Sequence, residues 1–295
     1  MDMKMDMNKN INDNIYELIS KKNNNKFLVF DVYSDYGHFR KYYTTSSPLT
    51  FSVIPRTAII GIISAIIGIP KDIYGNNNSD YFELLKPNNT IIALSLLNPI
   101  NKIRLGLNLL DCKSDGQRTR IFHDISKLKE PLKIYRTQVN IEFLKNPKYR
   151  IYISIEDKDI YQKLKYNLLN KLTVFTPYMG LSFCLLNYQY INEYEIKEIK
   201  ENYNSNFDTI IDIDNLEDLE LNLESDSKFY MKEKVAYLMD NKRQTIKDNN
   251  SQNNRKTIKY KTFLFENNGK PIKATLKKTL ILKDITNNQI ALSVF

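Results

Sequence analysis

Runs of apolar residues along the chain show two periods, one typical of strands and one typical of helices. Lys26–Tyr33 is an eight-residue run of aromatic and β-branched residues, which predicts a buried strand. Arg56–Gly68 has isoleucine at six of its thirteen positions and follows Pro55, a residue that suits the first turn of a helix. Asp157–Lys171 places apolar residues at helical spacing behind Asp157, which can act as the N-cap. These two segments are therefore predicted to be helices.

The other apolar runs are β-rich and predict further strands. These runs are Thr90–Leu97, Lys102–Leu110, Ile134–Leu144, Tyr149–Ile155, Phe183–Ile199, Ile258–Phe265, Ile272–Leu282 and Ile290–Phe295. The first two are separated by a short turn at Asn98-Pro99, so we expect them to form a hairpin. The order strand, helix, strands, helix, strand favours a ferredoxin-like α+β domain.

Changes in composition divide the chain into three parts. Residues 1–25 are Asn-rich and polar, which predicts a flexible extension. Residues 26–180 contain the two predicted helices and form the predicted main domain. Residues 181–295 are β-rich and include 201–226, a stretch with nine acidic residues and no Lys or Arg. We expect this last part to be a smaller β-rich region.

Length and composition bound the functional classes. With 295 residues, 42% of them hydrophobic, the chain can bury a sizeable core. Its formal net charge of +9 makes an anionic partner plausible without identifying the class of partner. Cys112 and Cys184 are too far apart to indicate a disulfide framework or a pair of metal ligands, which favours a reducing cytoplasm.

No segment predicts export or membrane insertion. The most apolar run, Ala58–Ile69, is shorter than the roughly 18–20 residues needed to span a bilayer. Residues 1–25 lack the apolar core of a signal peptide. We therefore predict a cytoplasmic protein without membrane contact.

Positive charge is concentrated between Asn101 and Ile155. This segment has twelve Lys or Arg and five acidic residues. It includes the stretch 112–133, which shows no helical or strand period. The basic residues include Arg118, Arg120 and Arg136, and the interleaved aromatic residues include Tyr135, Phe143 and Tyr149. Such a mixture suits phosphate contacts and base stacking. A solvated lysine-rich surface is the alternative explanation.

A second basic and aromatic cluster precedes the first predicted helix. Its sequence from residue 38 to residue 45 is HFRKYYTT, and Arg56 follows at the helix start. Free N–H groups at a helix N-terminus, together with Arg40 and Lys41, could hold a phosphate. The alternative is that Arg56 pairs with a nearby carboxylate.

The sequence contains few residues suited to catalysis. There are two histidines, His38 and His123, and no HExxH, CxxC or GxxxxGK[ST] motif, so we predict neither a metal nor a nucleotide cofactor. A metal-independent ribonuclease needs only a base and an acid. His38 or His123 with Tyr42 could supply that pair, and this alternative stays open.

Three segments together resemble the Cas-five family of CRISPR-associated proteins, type I-B branch. Residues 30–74 read FDVYSDYGHFRKYYTTSSPLTFSVIPRTAIIGIISAIIGIPKDIY, with an aromatic first strand, a FRKYYT loop and a Pro-Arg-Thr helix start. Residues 135–152 resemble the segment after the family's thumb, and TPYMGL at 176–181 resembles a turn of the family. The resemblance extends from about Lys26 to Leu186.

This resemblance implies a RAMP fold, in which a ferredoxin-like domain related to RNA-recognition modules carries a β-hairpin thumb. The domain would be residues 26–180, with the thumb at about 104–138. The thumb would pack against a backbone subunit and help to bend the 5′ handle of the crRNA. The residues implied in RNA binding are Arg40, Lys41, Tyr42, Arg56, Arg118, Arg120 and Arg136.

The resemblance also implies a role in antiviral defence. The chain would be a non-catalytic subunit of the Cascade surveillance complex that caps the backbone filament at the crRNA 5′ handle. Its partners would be the backbone subunit, the large subunit and target DNA near the PAM end. In the type I-B branch a separate ribonuclease subunit cuts the crRNA precursor, which favours binding over catalysis. The extension at 1–25 and the acidic stretch at 201–226 depart from the family pattern.

Overall fold

The described part of the chain has a mostly antiparallel α+β architecture. The computed structural model describes residues 16, 19, 25–44, 47–70, 84–110, 136–220, 228–239 and 257–295. Within these ranges the helices are α1 (Arg56–Ile67), α2 (Lys158–Asn170) and a short 3-10 helix (Ile213–Asn215). The strands are β1 (Lys26–Tyr33), β2 (Tyr36–Gly37), β3 (Thr90–Leu96), β4 (Lys102–Leu110), β5 (Arg136–Lys145), β6 (Lys148–Ile155), β7 (Asn187–Phe207), β8 (Ile211–Asp212), β9 (Leu216–Leu219), β10 (Tyr230–Met239), β11 (Thr257–Glu266), β12 (Ile272–Lys283) and β13 (Gln289–Leu292).

The main sheet has seven strands in the order β13-β12-β7-β1-β6-β3, with β9 paired beside β12. Every pairing in it is antiparallel. Because side chains alternate across a strand, Leu28, Phe30 and Val32 of β1 lie in one hydrophobic cluster and Phe27 and Val29 in another. Both faces of this strand are therefore buried, as its continuous apolar sequence predicts.

The two predicted helices are confirmed. Helix α1 buries six isoleucines in the same cluster as one face of β1 and buried residues of α2. They are Ile59, Ile60, Ile62, Ile63, Ile66 and Ile67. Helix α2 begins after Asp157, whose side chain accepts hydrogen bonds from the backbone N–H of Asp159 and Ile160, the expected N-cap. No helix in the described ranges has both the length and the apolar character needed to cross a bilayer.

The outer edge of β3 is covered by other parts of the chain. Ile92 exchanges two backbone hydrogen bonds with Phe295, and the carbonyl oxygen of Leu94 accepts one from the N–H of Ile210 at 2.8 Å. These contacts satisfy groups that an open sheet edge would leave unpaired. The C-terminal residues thus close the main domain rather than forming a separate body at this edge.

The predicted hairpin between β3 and β4 is wrong. β3 pairs with β6 in the main sheet, whereas β4 pairs with β5 from Lys102↔Leu144 to Leu110↔Arg136. All seven residues of β3 are buried, while most of β4 is exposed or half-buried. The fully apolar strand therefore lies inside the main sheet, and the amphipathic strand joins β2 and β5 in a smaller sheet.

The C-terminal part is more ordered than its composition suggested. The strand predicted at Phe183–Ile199 is found as β7, which continues to Phe207, inside the acidic stretch. Further described residues of that stretch form β8 and β9. The three closing strands are confirmed as β11, β12 and β13, whereas β10 was not predicted.

Two residues of the predicted flexible extension are buried. Tyr16 and Ile19 pack in the cluster on the second face of the sheet, and the Tyr16 hydroxyl donates to the carbonyl oxygen of Lys278 at 2.8 Å. These two positions do not fit a flexible segment. The rest of 1–24 and the thumb residues 111–135 lie outside the described residues.

Replacing Gly61 in α1 by alanine is expected to raise the free energy of unfolding by about 0.4–1 kcal/mol. A Cβ at Gly61 would have no heavy atom within 4 Å, so the methyl group fits while the unfolded chain loses freedom. Urea denaturation followed by circular dichroism measures the change. Gly68→Ala is the control and should destabilise, because Gly68 has φ +81° and a Cβ there would lie 2.8 Å from Val174. A lower midpoint for Gly61→Ala would contradict the prediction.

Candidate nucleic-acid interface

The loop that carries the FRKYYT sequence is fixed to the β4–β5 hairpin by Glu142. We call residues 38–44 and 47–54 the site loop. Glu142 on β5 donates its backbone N–H to the carbonyl oxygen of Pro48 at 3.0 Å, and its Oε1 accepts the N–H of Thr50 at 3.1 Å. Its carbonyl oxygen lies 2.7 Å from Nδ1 of His38. One residue of β5 thus holds the site loop at three points.

Basic side chains from β4 complete this junction. The Lys102 Nζ donates to the carbonyl oxygen of Thr50 at 3.0 Å and lies 3.8 Å from Oε1 of Glu142. Arg104 Nε lies 3.9 Å from the other oxygen of Glu142. Burial lowers the pKa of Lys102. The Glu142 carboxylate therefore lies between two cations, which offsets its desolvation.

A cleft of about 580 Å³ opens between the hairpin, the site loop and the turn at Gly180. Its lining residues are His38, Arg40, Pro48, Leu109, Thr137, Gln138, Val139, Ile141, Gly180 and Leu181. This volume is within the usual range of ligand pockets. Gly180 has φ +85°, and a Cβ there would overlap the carbonyl oxygen of His38. The turn in TPYMGL thus needs glycine so that the backbone can approach the site loop.

His38 lines this cleft as a neutral imidazole. Its ring is buried and lies 5.8 Å from the Phe143 ring, between centroids. Burial and the nearby charge of Arg40 lower its pKa from the ordinary value of 6.5, although hydrogen bonding to Glu142 opposes this. A carbonyl oxygen only accepts, so Nδ1 must carry the proton that points at Glu142. Nε2 is therefore the unprotonated nitrogen.

Two predicted RNA-binding residues lie on the surface of the site loop. Arg40 is exposed, and its guanidinium donates to the carbonyl oxygen of Thr44 at 2.9 and 3.3 Å. Tyr42 is 53% exposed, and the neighbouring Tyr43 is 59% exposed. Their rings are 5.2 Å apart and nearly perpendicular. The loop therefore presents a cation at the cleft and two aromatic rings two and three residues further along.

Lys41 points the other way and anchors the loop to β10. Its Nζ lies 2.8 Å from Oε1 of Glu233, and Oε2 of Glu233 accepts the N–H of Ser52 at 2.7 Å. Burial alone would lower the pKa of Lys41, but the hydrogen bond and charge of Glu233 raise it. Lys41 is therefore a structural contact of the loop, and its charge is already paired.

Arg56 is buried at the start of α1. Its Nη2 donates to the carbonyl oxygens of Leu85 at 3.1 Å and Thr90 at 3.0 Å, and its guanidinium carbon lies 5.6 Å from the centre of the Tyr237 ring. Within the described part of the chain, Nε and Nη1 have no hydrogen-bond partner, and burial lowers the pKa of the group. This position does not fit the predicted contact with RNA phosphates, because other elements enclose the side chain.

The remaining predicted residues are not brought into the cleft by the described structure. Arg118, Arg120 and His123 lie outside the described residues. Arg136 begins β5 opposite Leu110.

Sequence reasoning missed the residues that hold the site loop in place. Glu142 counted only as one of five acids in a basic segment, Gly180 counted only as part of a turn motif, and Glu233 was not considered. A signal for Glu142 existed, since it is an isolated acid between Ile141 and Phe143 in an apolar strand. Glu233 had no comparable signal, because β10 itself was not predicted.

Comparison with known proteins finds similarity in structure only. No protein-family model and no curated protein matches the chain. A chain of a CRISPR RNA-guided surveillance complex is 7% identical, with a TM-score of 0.44, and the match covers 84% of this chain and 91% of that chain. A CRISPR protein from Archaeoglobus fulgidus is 13% identical, with a TM-score of 0.44, and the match covers 91% and 99%. A chain of the Type III-B Cmr-beta complex bound to cognate target RNA and AMPPnP is 14% identical, with a TM-score of 0.36, and the match covers 84% and 86%.

Stability is expected to fall as the pH is lowered from 7.5 towards 5.5, in part because of His38. Since its pKa is lowered in the folded state, the unfolded chain binds a proton first, near pH 6.5, and lower pH favours unfolding. Urea midpoints at several pH values measure this dependence. His38→Asn, whose amide can still donate to the Glu142 carbonyl oxygen, should show a smaller loss over the same interval. An identical slope in both proteins would contradict the assignment.

Proposed function

We propose that this chain is a non-catalytic RNA-binding subunit of a type I-B CRISPR Cascade complex. It would hold the 5′ handle of the crRNA and cap the backbone filament in antiviral defence. The observation that carries the proposal is the position of basic and aromatic side chains on the site loop. Its FRKYYT sequence is part of the family resemblance, and the loop is fixed so that Arg40 lines a cleft while Tyr42 and Tyr43 remain exposed.

The topology supports the ferredoxin-like part of this proposal. Four strands of the main sheet lie in the order β7-β1-β6-β3. In the sequence, the site loop and α1 come between β1 and β3, and α2 comes between β6 and β7. If β1, β3, β6 and β7 are numbered 1 to 4 in chain order, the order in the sheet is 4-1-3-2, which is the order of a ferredoxin-like βαββαβ unit. The β4–β5 ladder supplies the base of a hairpin where the thumb was predicted, at about 104–138.

The geometry revises the roles of the residues in the site. In this proposal Arg40 would meet a phosphate and Tyr42 a base, because both are exposed on the site loop. Lys41 and Arg56 support the fold instead, since one is paired with Glu233 and the other is enclosed. Arg118, Arg120 and Arg136 remain predicted phosphate contacts of the thumb.

A second surface supports contact with protein subunits. The exposed apolar side chains of α2 and the loop after it are Tyr166, Leu169, Leu172, Val174, Phe175, Tyr178, Phe183 and Leu185. A concentration of this kind is typical of protein–protein interfaces. We propose that this surface meets the backbone subunit or the large subunit, and that target DNA near the PAM end is a further partner of the assembled complex.

Arg40→Ala is expected to weaken binding of the crRNA-repeat RNA about tenfold, because the variant loses a charged hydrogen bond to a phosphate. The dependence of log K on log salt should become less steep by about 0.7, the value for one phosphate contact on a single strand. Gel shifts at several salt concentrations measure both quantities. Lys277→Ala, which removes an exposed cation from β12, is the control and should bind like the wild type. Unchanged affinity and slope for Arg40→Ala would contradict the site assignment.

A metal-independent ribonuclease that processes the crRNA precursor is the second candidate function. The observation that favours it is the unprotonated Nε2 of His38 beside the cleft, which suits a general base. Acid–base cleavage also needs an acid for the leaving oxygen. Among the described residues that line the cleft, His38 is the only one with an imidazole, carboxyl, thiol or phenol group, so the acid would have to come from outside that lining.

Incubation of the protein with labelled repeat RNA in EDTA is expected to give a gel shift without cleavage products on a denaturing gel. The physical reason is that the described cleft lining offers His38 as a candidate base without a carboxyl, thiol, phenol or second imidazole group beside it. Discrete products that disappear in His38→Ala would establish the ribonuclease instead. Products that persist in His38→Ala and disappear in His123→Ala would assign the base to the thumb.

A further inference from the structure

The hairpin of β10 and β11 carries a tyrosine and a lysine side by side on its outer face. Tyr260 on β11 is the pairing partner of Ala236 on β10, so Lys234, two residues before Ala236, is its diagonal neighbour. The Nζ of Lys234 lies 5.3 Å from the centre of the Tyr260 ring. Lys234 is exposed and Tyr260 is half-buried. This pair lies in the C-terminal third of the chain. None of the RNA-binding residues predicted from the sequence lies there.

The site loop reaches this pair through Tyr42. The Tyr42 ring centre lies 5.0 Å from that of Tyr260 and 5.2 Å from that of Tyr43. We call Tyr42, Tyr43 and Tyr260 the tyrosine cluster. Two of its rings are more than half exposed, so the cluster presents aromatic surface to solvent rather than filling a core.

The charges around the cluster select the class of ligand. An exposed cation, Lys234, lies 5.3 Å from the Tyr260 ring centre, whereas the charge of Lys41 is paired with Glu233. The two acids of β10 and β11, Glu233 and Glu266, are both buried. The surface therefore combines aromatic rings with positive charge and no exposed acid on these two strands. Such a surface fits a nucleobase with its phosphate, because bases stack on aromatic rings and the phosphate meets a cation.

We propose that the tyrosine cluster, with Lys234, is a stacking site for one unpaired base of single-stranded RNA. This inference rests on the proposed function and extends it, because it assigns direct RNA contacts to Tyr260 and Lys234 in the C-terminal part. The Lys41–Glu233 ion pair would hold the loop against β10, so that Tyr42 stays beside Tyr260. RNA would then cross from the cleft at Arg40 to the outer face of the hairpin.

The test is binding of fluorescently labelled crRNA-repeat RNA to single variants of the full-length protein. Tyr260→Leu is expected to weaken binding about 5- to 150-fold with an unchanged salt slope, since stacking of one base is lost and no charge is removed. Tyr260→Phe should bind like the wild type, because the ring is kept. Lys234→Ala should weaken binding and reduce the salt slope by about 0.7. Tyr33→Leu, at a tyrosine at the end of β1 that is 40% exposed, is the matched control and should leave RNA binding unchanged.

The outcomes separate this inference from the proposed function. If the wild type binds the RNA and Tyr260→Leu binds equally well, the stacking site is overturned and the proposed function stands. If the wild type does not bind, both fail. Tyr42→Leu provides a second variant in an exposed loop should Tyr260→Leu unfold, as judged by circular dichroism. If both variants keep RNA affinity but lose assembly with a neighbouring subunit, the cluster is a protein contact and the inference is wrong.

Discussion

Glu142 is the residue on which the geometry of the candidate site depends. Little of the site loop is part of a β-sheet, so few of its backbone groups are hydrogen-bonded to a neighbouring strand. A buried backbone group without a hydrogen-bond partner destabilises the fold. Glu142 meets the loop at Pro48, at Thr50 and at His38, with its backbone N–H, its side chain and its carbonyl oxygen respectively. Since Lys102 compensates the carboxylate from the paired strand, the hairpin and the loop cannot shift independently. The position of Arg40 at the cleft follows from this coupling.

A second anchor joins the same loop to a distant part of the sequence. Lys41 and Glu233 are almost two hundred residues apart in the chain, yet their charged groups are 2.8 Å apart and largely shielded from water. The loop is thus held by β5 on one side and by β10 on the other, while Arg40 and Tyr42 remain exposed between the anchors. This is the arrangement expected of a preorganised binding surface, in which supporting contacts fix the residues that meet the ligand.

The elements that local sequence determines were predicted, and the contacts between distant elements were not. β1 and α2 matched closely because their apolar period and N-cap are local properties. The prediction of a β3–β4 hairpin was wrong because strand pairing depends on contacts between distant segments. β3 is fully buried and pairs with β6 in the main sheet. β10 was missed because three consecutive charged residues, Lys232, Glu233 and Lys234, interrupt its apolar run. The loop residues Arg40 and Tyr42 could be named from sequence, but their anchors could not.

Arg56 shows that the Pro-Arg-Thr motif can be recognised in the sequence while the role of its arginine depends on the fold. At the first position of a helix, the sequence alone leaves two roles open for Arg56, contact with a phosphate or pairing with a nearby carboxylate, and only the family resemblance implies the first. In the fold, its guanidinium instead links α1 to Leu85, to Thr90 at the start of β3 and to the Tyr237 ring on β10. Two nitrogens of this buried cation have no hydrogen-bond partner among the described residues, so these links offset only part of its desolvation. In this arrangement the Pro-Arg-Thr segment contributes to the assembly of α1, β3 and β10. The contact with RNA that we propose would then be made by the loop that these elements support.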